Sequence, residues 1–122
     1  MTAEQAIHAF WSGFEINAYE ENSVPDEAEL PYITYSVSYD VFGHDVPMSA
    51  SVWYRSTVWT DVIAKKDAIS QAFGDSDYIQ LPTDEGSVRI WRGSPFAQRM
   101  GDVDTSIKRY LINVTAEYNS FT

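Results

Sequence analysis

Cysteine is absent, so the chain has no disulfide framework, no thiolate nucleophile and no cysteine zinc site. That suits synthesis in a reducing cytoplasm. Histidine occurs twice, as His8 and His44, without the HxxxH, HxH or DxDxDG spacing that holds a metal. No serine stands in a GxSxG elbow, and Gly93-Ser94-Pro95 lacks the lysine and following helix of a phosphate loop. No apolar run approaches the ~18 residues of a membrane span, and no basic-then-apolar leader opens the chain. The expectation is a protein that is neither membrane-embedded nor exported, is not an enzyme, and needs no cofactor or metal.

Positive charge is scarce and unevenly placed. Residues 1–54 contain Glu4, Glu15, Glu20, Glu21, Asp26, Glu27, Glu29, Asp40 and Asp45 but no Lys or Arg, while all 8 bases lie between Arg55 and Arg109. With 18 acids the net charge is -10. Such a surface repels free DNA and anionic lipid, so neither sequence-independent nucleic-acid binding nor membrane binding is expected. Acidic mimicry of DNA is conceivable, but surplus acid on a soluble domain ordinarily serves solubility.

What is present is enough for one core. The chain has 122 residues, of which 44% are hydrophobic and 21% charged, values that exclude a disordered tail. Surface scaling predicts ~6,600 Å² exposed of ~20,000 Å² for the extended chain. Residues 1–122 are read as a single domain.

Thr2-Ala3-Glu4-Gln5 matches a capping box, Ala3, Ala6, Ile7, Phe10, Trp11 and Phe14 follow at helical spacing, and Gly13 is a natural stop. Phe14–Tyr19 is a short first strand, followed by an acidic loop from Glu20 to Leu30. Ile33, Tyr35, Val37, Tyr39 and Val41 alternate with polar residues, a half-wet strand. A turn at Phe42-Gly43-His44-Asp45 leads to its antiparallel partner, where Met48, Ala50, Val52 and Tyr54 alternate. Ser56 or Thr57 caps a second helix running to Phe73, with Val58, Val62, Ile69 and Phe73 as its buried stripe, joined by Trp59 and Ile63, and Lys65, Lys66 and Asp67 in water. Tyr78–Leu81 and Ser87–Arg92 form a hairpin. Gly93–Asp104 is a long connection, and a closing strand runs through Tyr110–Tyr118. The order α-β-β-β-α-β-β-β predicts an α+β domain, two helices packed on a largely antiparallel sheet.

The densest set of interface-type side chains is Arg89, Trp91, Arg92, Phe96, Arg99 and Met100. Trp, Phe, Met and Arg supply contact area at low entropic cost. Two readings are open: these residues meet a partner, or Phe96 and Met100 plug the domain's own sheet edge while the arginines pair with local acids. An acidic first half and a base-containing second half also allow head-to-tail contact between copies, closing a ring or running to a filament.

The segments PYITYSVSYDVFG, SASVWYRSTVWTDVIAKKDAIS, VRIWRGSPFAQRM and RYLINVTAEYNSF resemble the tail-terminator or tail-completion group of long-tailed bacteriophages and prophages, often called minor capsid proteins. The similarity runs from Met1 to about Phe121 and carries no catalytic signature. The resemblance implies an α+β subunit, made in the bacterial cytoplasm, that forms a ring, a hexamer, at the head-proximal end of the virion tail. Its implied partners are itself, the tail-tube protein and the head-completion protein. A head-completion or stopper ring fits nearly as well. A different class, a small acidic inhibitor of the immunity or antitoxin type binding a basic partner, fits the charge alone.

Overall fold

A computed structural model describes residues 1–40 and 44–120. Its elements are α1 (Ala3–Ser12), β1 (Asn17–Glu20), β2 (Tyr32–Tyr35), β3 (Asp45–Arg55), α2 (Thr60–Phe73), β4 (Ile79–Pro82), β5 (Gly86–Met100) and β6 (Ile107–Ser120). This is the α+β domain and the element order expected. The strands form one sheet ordered β1-β2-β3-β6-β5-β4. All pairs are antiparallel except β1 with β2.

The capping box at the start of α1 is formed: the Gln5 N–H donates to Thr2 Oγ1 at 3.1 Å, and the Thr2 N–H donates to Gln5 Oε1 at 2.9 Å. Ala6, Ile7 and Trp11 then bury one face of α1. They meet Val62, Ile69 and Phe73 of α2 and the inward residues of the sheet, among them Ile33, Val52, Ile112 and Val114. On β6 the alternation is complete: Ile112, Val114, Ala116 and Tyr118 are buried, and the residues between them are half-buried. The helices cover one face of the sheet, leaving the other open.

Four expectations are corrected. Among the described residues, the strand expected to run from Ile33 to Val41 pairs only as far as Tyr35; the Ser36 N–H still reaches across to the Ser49 carbonyl of β3 at 2.8 Å, but the Ser49 N–H donates back to the Ser36 hydroxyl at 3.0 Å. The turn expected at Phe42-Gly43 lies outside the described residues. Helix α2 starts at Thr60, not at Ser56 or Thr57: the Ser56 hydroxyl accepts from the Val58 N–H at 3.2 Å, a local turn, which leaves Val58 exposed and off the buried stripe. Lys65 and Lys66 are half-buried rather than in water, Lys65 Nζ donating to the Phe14 carbonyl at 2.6 Å.

The fourth correction concerns Gly93–Asp104. Most of this stretch is strand, because β5 continues to Met100 along β6. The true connection is short. Both the N–H and the hydroxyl of Ser106 donate to Asp104 Oδ1, at 2.8 and 2.6 Å. The hydroxyl hydrogen bond, more than the backbone one, holds the Asp104 carboxyl below its ordinary pKa.

Candidate interaction surfaces

The placement of the candidate residues turns on an irregularity in β5. Arg92 pairs with Val114 and Ala97 pairs with Ile112, so Gly93, Ser94, Pro95 and Phe96 all fall opposite Asn113. Asn113 Nδ2 donates to the Pro95 carbonyl at 2.9 Å and holds the bulge in place. The excess over regular pairing is three residues, an odd number. Side chains alternate with period two, so an odd insertion exchanges the faces. Before the bulge the even-numbered residues Val88 and Ile90 are buried; after it Ala97 and Arg99 pair with Ile112 and Tyr110 on the helix-covered side.

The six candidates are therefore divided between two surfaces. Arg89, Trp91 and Met100 stand opposite Glu117, Thr115 and Arg109 on the open face. Arg92, Phe96 and Arg99 lie on the helix side. Arg92 donates to the Ser70 and Gly74 carbonyls at 2.8 and 3.1 Å, capping the end of α2, which has no base of its own in its last turn. Its guanidinium carbon also sits 5.4 Å from the Phe73 ring centroid and 5.7 Å from that of Phe96. Phe96 is half-buried and meets Phe73 edge-on at 5.7 Å, so part of its area already serves the core.

Periodicity assigns Trp59, Tyr110, Trp53 and Arg109 to faces but does not single out the contacts through which they organise each surface. On the helix side Trp59, the residue before α2, receives the Arg99 guanidinium at 4.4 Å and the Lys108 ammonium at 5.5 Å. Tyr110 meets Trp59 edge-on at 6.1 Å and carries Lys66 at 5.4 Å. The alternation of Lys108 and Tyr110 with Ile112 was the available signal, since it puts all three on the core face. On the open face Trp53 Nε1 donates to Thr34 Oγ1 at 2.9 Å, and Arg109 lies 4.6 Å over the Trp53 ring while its Nε donates to Ser51 Oγ at 2.9 Å. A shallow hollow of about 330 Å³ lies here, lined by Tyr32, Thr34, Ser51, Trp53, Arg109 and Leu111 among others. Arg89 reaches Glu117 at 4.0 Å and the Tyr78 ring at 5.0 Å.

The two histidines are apart in kind. His8 Nδ1 is 2.9 Å from the Tyr35 hydroxyl and its Nε2 is 3.2 Å from Ser12 Oγ, whereas His44 is exposed at the entry to β3. Among the described residues no three His, Cys, Asp or Glu side chains converge as a metal set would.

Neither a protein-family model nor a curated protein sequence matches the chain. Among solved structures, a chain from the virion of a native gene transfer agent (GTA) particle is similar, with a TM-score of 0.63 over 95% of this chain and 90% of that one. The two share 16% sequence identity, and what the likeness shows is a common fold.

Proposed function

We propose that the chain is a non-enzymatic structural subunit of a phage-type virion, one that assembles as a ring, ends the tail tube and joins the tail to the head. The observation that carries this reading is the fold it has in common with a chain of a gene transfer agent virion, over nearly the full length of both. The segments that resemble tail terminators supply the finer role, and they include the paired strands β3, β5 and β6, which build the centre of the sheet. Partners of such a subunit are further copies of itself, the tail-tube protein and the head-completion protein.

Exposed charge contacts contribute only about 0–1 kcal/mol each, and a net charge of -10 per copy opposes closure. The isolated protein is accordingly a monomer or weakly associated at low concentration, with the tube end acting as template. Deleting the gene tests the role. Overlong tails that fail to join heads are the expected phenotype. Tails of normal length that still fail to join make the chain a head-completion ring instead, and normal virions contradict both.

A further inference from the structure

The acidic first part of the sequence and the base-containing second part do not form separate halves of the molecule, because β3 and β6 pair along their lengths. The charge asymmetry reappears between the two ends of that ladder. At one end Asp45 stands directly opposite Glu117, with Asp84 and Glu85 in the turn entering β5. At the other, the register pairs Trp53 with Arg109, Tyr54 with Lys108 and Arg55 with Ile107, and Arg99 joins them from β5 opposite Tyr110. At ~3.3 Å per residue the two ends are roughly 33 Å apart.

Asp84 is paired with the N-terminal ammonium of Met1, but each end keeps an exposed charge with no ion pair among the described residues, Asp45 at one and Arg99 at the other. Arg55 has Asp104 at 3.8 Å and Lys66 has Asp67 at 2.6 Å. Arg99 is exposed and has no carboxylate within 4.0 Å among the described residues, resting on the Trp59 indole instead, whereas Lys108 beside the same indole is buried and its Nζ donates to the Thr105 carbonyl. An aromatic face orients a cation without cancelling its charge. At the far end Asp45 is exposed and makes no ion pair among the described residues, and Glu117 has only Arg89 at 4.0 Å. Like charges directly opposite across a ladder are destabilising, so a cation from another molecule relieves that end as an anion relieves the first.

We propose that the exposed Arg99, held on the Trp59 indole, is the docking surface for a second copy of this chain, which presents to it the end where Asp45 and Glu117 oppose each other. The proposal rests on the self-assembling reading given above and identifies its contact. Each copy offers one end of each kind, so the contact is heterologous and repeats by rotation, closing a ring or extending. The net charge of -10 argues against a polynucleotide as the occupant.

The test compares the full chain with its Arg99→Glu and Asp45→Lys variants, with thermal melts to confirm folding. Association is read by sedimentation at high protein concentration and by electron microscopy on tail-tube ends, at about 50 mM and about 300 mM salt. The wild type associates, less so at the higher salt. Each variant alone is weaker by about tenfold, and an equimolar mixture of the two associates more tightly than either variant alone. Should Arg99→Glu fail to fold, Arg99→Gln carries the same test, its association weaker and less dependent on salt. Wild-type association by Arg99→Glu overturns the proposal but leaves the virion role standing. Retention of the wild type on single-stranded DNA, lost in Arg99→Glu, also overturns it. A wild type that never associates, even on tube ends, removes the docking surface and the ring reading together.

Discussion

Gly93 lies against Asn113 closely enough to exclude any side chain: a Cβ at position 93 would stand 2.9 Å from the Asn113 carbonyl oxygen and 3.0 Å from its Cβ. The obstructing atoms include backbone of the central strand β6, which has no room to yield. This contact sits at the start of the bulge that exchanges the faces of β5. Gly93→Ala should therefore cost about 1–3 kcal/mol, in the manner of an overpacked core. Urea unfolding of the variant checks it, and a wild-type midpoint would show that the bulge relaxes freely.

Phe73 and Phe96 touch but differ in burial, 2% exposed for the first and half-buried for the second. Phe73→Ala should cost about 3–5 kcal/mol, and Phe96→Ala only about 1–2 kcal/mol with cooperative unfolding retained. Melts of the two variants side by side decide the matter. A loss at Phe96 equal to that at Phe73 would make Phe96 a core residue with no area left for a partner.

Several elements were legible because local chemistry and tertiary packing agree. Thr2 and Gln5 announce the start of α1, and the alternation through Ile112, Val114, Ala116 and Tyr118 announces β6. Gly93-Ser94-Pro95 misleads for a physical reason: glycine and proline ordinarily interrupt a ladder, yet here they form a bulge after which Ala97 resumes pairing with Ile112. A register known only from the folded sheet decides whether Arg99 faces α2 or the open side. The contact between Trp59 and Lys108 is set in the same way, since it joins residues far apart in sequence. Helix α2 starts at Thr60 because Ser56, a good capping residue by type, is used in a tight turn before the helix.

Alkaline pH supplies a further prediction. Burial, followed by the neighbouring Tyr39 and Glu4, pushes the Tyr118 phenol above its ordinary value of 10.0. The hydroxyl donates to the Ser38 carbonyl at 2.8 Å, a bond that ionisation removes. The folded state thus keeps a proton that the unfolded chain gives up, so stability is full below pH ~10 and falls as pH rises above it. Tyr35, Tyr39 and Tyr54 shift in the same direction, each chiefly through burial. Tyr118→Phe should lose about 0.5–1.5 kcal/mol near neutrality yet decline less steeply above pH ~10. Denaturant unfolding at both pH values reads the two effects, and parallel pH profiles would mean that Tyr118 titrates alike folded and unfolded.

Electron microscopy of growing tail tubes, with and without this protein, tests the proposed ring at the tube end. With it present, ring density should cap the tube ends and tube length should stop increasing. Bare ends on tubes that keep lengthening at saturating protein would mean that the chain does not end the tube.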